Sequence, residues 1–160
     1  MTFAKQFAAE YSGEIAIQDD RQTLSWDQVD DVLNRCANAL QAADLGPGNR
    51  IAVFAENTVE TALANLGGLV AGASVVPVNF HLTAEEVAYI LSDSEARVLF
   101  VGPETAERGL AAAAQSNVHT VIGWDDAGAA TPWVDWLADS GADEHDQRPW
   151  DHEDVQREEP

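Results

Sequence analysis

Few residues of this chain have the types and spacing that catalysis or metal binding requires. The single cysteine, Cys36, excludes an internal disulfide and any site built from several cysteines. It lies among apolar residues spaced three and four apart, so we expect a buried structural thiol and not a nucleophile. The four histidines are His81, His119, His145 and His152. No two of them share helical i, i+4 spacing with a carboxylate companion, and we therefore predict no metal site.

Glycine-rich motifs that bind phosphates are also missing from the sequence. No G-x-G-x-x-G segment follows an apolar run, which argues against NAD or FAD binding. The segment Gly46-Pro47-Gly48 predicts the end of a helix, because glycine permits positive φ and proline prevents the helix from restarting. We predict no catalytic, cofactor-binding or metal-binding residue in these 160 residues.

The charge balance excludes two classes of partner. Eight basic and 28 acidic residues give a net charge of −20, and Lys5 is the only lysine. Such a chain repels nucleic acid and anionic membrane surfaces, so neither is an expected partner. The simplest interpretation is a solvated acidic surface, although few lysines and many acids also fit a protein that works at high salt. We predict no transmembrane segment and no secretion signal, and hence a cytoplasmic protein.

Apolar residues alternate between helical and strand periodicity from Leu24 to Ile122. Short apolar runs predict buried strands, and stripes at spacings of three and four predict helices between them. Ser25 with Gln28, and Thr83 with Glu86, have the spacing of capping boxes. The predicted strands cover 51–55, 74–78, 97–101 and 118–122, and the predicted helices cover 26–43, 58–71, a stretch after 83, and 103–114, with Pro103 in the first turn. Strict alternation predicts a doubly wound α/β fold with a mostly parallel sheet.

The sequence changes character after Gly123. Residues 125–160 contain twelve acidic residues against two arginines, which is half of the net charge. We divide the chain into an α/β part (1–123), a short peripheral helix (124–140) and an acidic tail predicted to be disordered (141–160). The tryptophans Trp124, Trp133, Trp136 and Trp150 are candidate interaction residues, although core packing is the better interpretation for Trp133 and Trp136.

Two blocks of sequence resemble the AMP-forming acyl-CoA synthetases, a family that includes luciferases and adenylation domains. The first block is Leu24-Ser25-Trp26-Asp27-Gln28-Val29, followed by Asn34, Ala37, Leu40 and Leu45-Gly46-Pro47-Gly48-Asn49-Arg50-Ile51-Ala52-Val53. The second is Leu69-Val70-Ala71-Gly72-Ala73-Ser74-Val75-Val76-Pro77-Val78-Asn79, followed by Leu82-Thr83, Glu85-Glu86 and Tyr89-Ile90-Leu91. Their order and spacing are similar to the family's opening and to its "A-G-A-x-x-V-P-L/V-N" block, over roughly residues 24–101.

The resemblance implies a scaffold without catalytic groups. In this family the phosphate loop "Y-T-S-G-T-T-G-x-P-K-G", the ribose-binding "T-G-D" aspartate and the catalytic lysine lie further along the chain. None of them occurs here, so we expect a fragment of a fatty-acid or other carboxylic acid–CoA ligase that is inactive alone. The family uses ATP, Mg²⁺ and CoA, and we expect this chain alone to bind none of them.

Two alternatives stay open at this point. The chain could be a non-catalytic interaction module, or one subunit of a split ligase that pairs with a complementary ligase fragment. An incomplete sheet would leave an open edge, through which the chain could also associate with itself. The acyl substrate, the oligomeric state and whether the fragment folds alone are not determined by the sequence.

Overall fold

The chain is described for residues 3–45 and 48–143 by a computed structural model. In this part the helices are α1 (Phe3–Glu10), α2 (Trp26–Ala42), α3 (Val59–Val70), α4 (Ala84–Asp93), α5 (Ala106–Ala113) and α6 (Trp133–Ala138). The strands are β1 (Ile15–Gln18), β2 (Thr23–Ser25), β3 (Arg50–Phe54), β4 (Ser74–Val78), β5 (Val98–Val101), β6 (Thr120–Gly123) and β7 (Thr131–Pro132). Strands β3 to β7 form one parallel sheet in the order β4-β3-β5-β6-β7. Strands β1 and β2 form a separate antiparallel hairpin.

Helices cover both faces of the parallel sheet. In β3, Ile51 and Val53 point to one face, which we call the first face, and Ala52 and Phe54 point to the second. Helices α2, α3 and α6 pack on the first face, and α4 and α5 pack on the second. Strand β5 is buried at every position, as expected for a strand covered on both faces. The predicted doubly wound α/β fold is confirmed.

Both predicted capping boxes are present. The Ser25 backbone N–H donates to Gln28 Oε1 at 2.9 Å, and the Gln28 N–H donates to Ser25 Oγ at 3.4 Å. The Thr83 N–H donates to Glu86 Oε2 at 2.9 Å in the same arrangement. These pairs satisfy backbone donors that the first helical turn leaves free, and they fix where α2 and α4 begin.

The predicted start of the fifth helix is wrong. Helix α5 begins at Ala106, after a turn that contains Pro103. The reason lies in Thr105, whose hydroxyl is fully buried and donates to the Phe54 carbonyl at 2.6 Å instead of capping the helix. Four further short elements, α1, β1, β2 and β7, were not predicted from the sequence.

The part of the chain after the sheet is described only to Asp143. Helix α6 lies within the segment for which a peripheral helix was predicted. Its Trp133 is buried and packs edge-on against Phe100, with ring centroids 5.9 Å apart. Residues 144–160, which include Trp150 and most of the predicted acidic tail, lie outside the described residues. In the part that is described, no helix is both long enough and apolar enough to span a bilayer.

Helix α3 packs very closely on its neighbours through two glycines. A β-carbon built on Gly67 would lie 2.4 Å from Cys36 Sγ in α2, and one built on Gly68 would lie 2.4 Å from Ile51 Cδ1 in β3. Both distances are far below van der Waals contact, so larger residues at these positions would force α3 away from the sheet.

We predict that Gly67→Ala destabilises the fold by about 1–3 kcal/mol, because the added methyl overpacks the contact with Cys36. Alanine favours a helix by about 1 kcal/mol over glycine, so any net loss of stability must come from the steric clash. Urea unfolding measures the free energy of unfolding. In the double variant with Cys36→Ala, which removes the clashing sulfur, the loss of stability should be smaller than the sum of the two single losses. Stabilisation by Gly67→Ala would contradict the packing described.

The open edge of the sheet at β4 carries a proline. The Ser74 N–H donates to the Asn49 carbonyl beside β3 at 2.8 Å. Backbone N–H and C=O groups alternate in direction along a strand. Those of Val76 therefore also point to β3, whereas the backbone groups of Val75 and Pro77 point to the open side. Pro77 has no N–H to offer a further strand, and β7 at the opposite edge contains Pro132. Proline at an edge strand hinders pairing with another chain.

We predict that Pro77→Val shifts the chain toward self-association, because it adds a donor to an exposed strand edge. Light scattering coupled to size-exclusion chromatography measures the shift. The matched control is Pro103→Val, which adds an N–H at an exposed turn outside any strand. An equal response of the two variants, or none, would show that Pro77 does not protect the edge.

Candidate functional site at the carboxyl edge of the sheet

The strand order identifies one place where open α/β sheets bind ligands. The connection after β3 leads to β4 on one side, and the connection after β5 leads to β6 on the other. The carboxyl ends of β3 and β5 therefore flank the topological switch point, outside which such sheets form their binding crevice. We call the loops that follow these strands the carboxyl edge. It is built by Glu56 and Asn57 after β3 and by Gly102 after β5.

A glutamate and a glycine meet at the switch point. A β-carbon on Gly102 would lie 2.4 Å from Glu56 Oε2, so a larger residue at this position would displace the carboxylate. Thr105 holds the two strand ends together, because its hydroxyl donates to the Phe54 carbonyl and accepts the Gly102 N–H at 3.1 Å. Glu56 thus lies where the ends of two adjacent strands meet.

Two buried polar atoms at this edge have no hydrogen-bond partner among the described residues. One is Glu56 Oε2, and the other is Nε1 of Trp124, which follows β6 and is 3% exposed. Buried polar atoms are nearly always hydrogen-bonded, so each of these marks an unused acceptor or donor. Glu56 can accept a hydrogen bond and Trp124 can donate one.

The β1–β2 hairpin is tied to the same edge by Asp19. Asp19 Oδ2 accepts the Val59 N–H at the start of α3, and Oδ1 accepts the N–H groups of Arg21 and Gln22, each at 2.9 Å. The backbone hydrogen bonds, that from Val59 first, together with the smaller effect of the Arg21 charge, lower the pKa of Asp19 to about 2. The carboxylate therefore joins the hairpin turn to the first turn of α3.

Arg21 connects three segments through carboxylates. Its guanidinium donates to Glu60 Oε2 in α3 at 2.6 Å, lies 3.6 Å from Asp19, and also contacts Asp125 after β6. Glu60 is only 8% exposed, and its other carboxylate oxygen accepts a hydrogen bond from Gln22 Nε2. The hairpin, α3 and the end of β6 are held together by one cation among several acidic groups.

We predict that Asp19 makes the fold sensitive to acid. Its pKa is lower in the folded chain than its ordinary value of 3.8, so its stabilisation is complete above pH 4 and is lost as the pH falls toward 2. Asp19→Asn should reduce stability at pH 7 and flatten its loss between pH 4 and 2. Asp20→Asn, which removes the same charge from an exposed neighbour, is the control. The same pH profile for both variants would contradict this role.

Two clefts run along α3 beside the carboxyl edge. One of about 420 Å³ lies between α3 and the hairpin strand β1, and one of about 300 Å³ lies between α3 and the end of β4. Asn57, Thr61 and Asn65 line both clefts and form the ridge that separates them. The lining is rich in amides and hydroxyls above an apolar floor that includes Val53 and Ile17.

The residues considered from the sequence do not come together. Cys36 is buried, as predicted, and burial raises the pKa of its thiol far above the usual range. His81 follows β4 at the carboxyl edge and lies against Phe80, whereas His119 precedes β6 and contacts the Asp44 carbonyl at 2.8 Å. His145 and His152 lie outside the described residues. Within 3–45 and 48–143 no three His, Cys, Asp or Glu side chains cluster as a metal site would require.

Four residues at or beside the carboxyl edge were not singled out from the sequence: Asp19, Arg21, Glu56 and Glu60. One signal was available, since Glu60 is the only charged residue in α3. A lone charge in an apolar helix predicts a specific partner, but not which arginine provides it. The approach of Glu56 to Gly102 depends on the pairing of β3 with β5, which no local pattern reveals.

Comparison with known proteins decides the family. The sequence profile of the family described as AMP-binding enzyme matches residues 4–159. The chain belongs to the AMP-binding enzyme family. This AMP-binding enzyme chain is 35% identical over 111 residues to the long-chain-fatty-acid–CoA ligase FadD13 of Mycobacterium tuberculosis. The aligned segment covers 69% of this chain and 20% of that protein. The resemblance to acyl-CoA synthetases is thereby confirmed.

Solved structures agree with this assignment. A benzoate CoA ligase from Burkholderia xenovorans has the same fold, with a TM-score of 0.80 at 22% identity over 91% of this chain and 29% of the other. A fatty acyl CoA synthetase of Mycobacterium tuberculosis has a TM-score of 0.77 at 29% identity, with the same coverage. The AMP-binding enzyme chain described here spans about a fifth of the length of its curated relative.

Proposed function

We propose that this chain is the scaffold portion of a carboxylic acid–CoA ligase and does not form an acyl-adenylate by itself. The observation that carries the proposal is the family match over residues 4–159 combined with coverage of only a fifth of a related ligase. The parallel sheet and its helices would support an active site to which other parts of the ligase fold contribute the reacting groups.

The residue inventory supports the lack of adenylation by these 160 residues. Their only lysine is Lys5, which precedes every strand, and they contain no glycine- and threonine-rich phosphate loop. The carboxyl edge does not fit a nucleoside triphosphate, because the guanidinium of Arg21 is already paired with Glu60 and Asp125. The side chain of Arg108 is also engaged, with the Leu82 carbonyl and the ring of Phe54. Among residues 3–45 and 48–143 the cations at this edge are thus engaged, and an acidic edge of this kind repels phosphates.

The substrate that we propose for the complete ligase is a carboxylic acid other than an amino acid. The segment Val76-Pro77-Val78-Asn79 and its continuation are similar to those of fatty-acid and other acid ligases, and the relative in Mycobacterium tuberculosis is named for long-chain fatty acids. We also propose a cytoplasmic location, supported by a buried cysteine without a disulfide partner.

ATP–pyrophosphate exchange with a panel of fatty and aromatic acids tests the proposal. We predict no exchange by the purified chain, since the groups that stabilise the adenylation transition state are absent. We predict exchange when the chain is co-expressed with the part of FadD13 that follows the matched segment and the two copurify. The control is that FadD13 part expressed alone, which should be inactive because it lacks this scaffold.

Each outcome has a distinct meaning. Exchange by the chain alone would contradict the proposed dependence on other residues. No exchange and no copurification would contradict the scaffold role and favour the alternative of an interaction module outside ligase chemistry. Exchange only by the pair would establish that the ligase fold can work as two polypeptides, as the split-ligase hypothesis requires.

A further inference from the structure

The outward side of α3 differs from the rest of the protein surface. We define the outer face of α3 by Thr61, Ala62, Asn65, Leu66 and Leu69. None of these residues carries a charge, although the chain has a net charge of −20. The one charged residue of the helix, Glu60, is buried against Arg21. At the end of the face, 62% of the surface of Leu69 is exposed.

The inward side of the same helix is fully buried. Val59, Leu63 and Ala64 lie in the core of the first face, and Gly67 contacts Cys36. Apart from Glu60, which is paired with Arg21, helix α3 is therefore apolar or uncharged on all sides. A helix with that composition is normally covered on every side, whereas a surface helix carries charges on its outward side.

The polar side chains of the outer face make hydrogen bonds within the chain. Thr61 Oγ1 donates to the Glu56 carbonyl at 2.6 Å, and Asn65 Nδ2 donates to the Thr61 carbonyl at 2.7 Å. A group that covers this face leaves both hydrogen bonds intact and needs a polar partner only for the rest of the Asn65 amide. Thr61 and Asn65 form a ridge between two clefts. Side chains of another helix can pack into the clefts on either side of this ridge.

We propose that the outer face of α3 is the docking surface for the remaining part of the ligase fold, which covers it with an uncharged apolar layer. The inference rests on the proposed function and names the surface through which the scaffold joins the rest. The present chain matches 29% of the benzoate CoA ligase chain, and the other 71% has no counterpart in it. That unmatched part of the ligase fold is the occupant that we propose for the outer face. Two copies of this chain, each at −20, repel one another, and Pro77 and Pro132 hinder pairing at the sheet edges.

The test compares two exposed apolar residues on opposite faces of the sheet. Leu69→Glu places a charge on the outer face of α3, and Tyr89→Glu places one on α4, where Tyr89 is 71% exposed. In the isolated chain both variants should shift the melting temperature by no more than about 2 °C, because both sites are at the surface. On co-expression with the part of FadD13 that follows the matched segment, Leu69→Glu should reduce copurification at least about tenfold, and Tyr89→Glu should leave it unchanged.

The outcomes separate the inference from the proposed function. Suppose that the wild-type chain copurifies with the FadD13 part. If the Leu69→Glu variant then copurifies equally well, or if Tyr89→Glu reduces copurification as much as Leu69→Glu does, the docking surface is overturned and the proposed function stands. No copurification of the wild-type chain would overturn the proposed function and the inference together. A large melting shift for Leu69→Glu in the isolated chain would show that this face is already packed and would also overturn the inference.

Discussion

The close contact of α3 with α2 and β3 is the constraint on which the other parts of the structure depend. Gly67 and Gly68 let the helix approach Cys36 and Ile51 at distances that no side chain at those positions would allow. The depth of this contact sets where the first turn of α3 lies. That turn receives the Asp19 carboxylate from the hairpin and presents Glu60 to Arg21. Helix α3 is thus the centre of the first face.

This arrangement gives the charged groups beside the carboxyl edge a structural role. The guanidinium of Arg21 is occupied by carboxylates of α3 and of the segment after β6, which it joins to the hairpin. Paired and partly buried charges of this kind specify a geometry more than they add stability. Membership in the AMP-binding enzyme family and the pairing of both Arg21 and Arg108 within the described residues are consistent with the proposal that other parts of a ligase supply the reacting groups.

Local patterns in the sequence were sufficient for the central elements and failed where contacts are distant in the chain. The capping pairs Ser25–Gln28 and Thr83–Glu86 and the apolar strands depend on neighbours within four residues, and they were found. The start of α5 was misplaced because Thr105 bonds to Phe54, 51 residues away. The approach of Glu56 to Gly102 and the pairing of Arg21 with Glu60 need the assembled sheet, and no periodicity encodes them.

If the outer face of α3 is the docking surface, α3 is covered on both sides in the complete ligase. Maleimide labelling of Leu69→Cys and Tyr89→Cys variants tests it most directly, because the native thiol of Cys36 is buried and should not react. In the isolated chain both introduced thiols should label at similar rates. In the copurified pair with the remaining part of FadD13, we expect the thiol at position 69 to be protected from maleimide while the thiol at position 89 still reacts. Equal labelling of the two positions in the pair would contradict it.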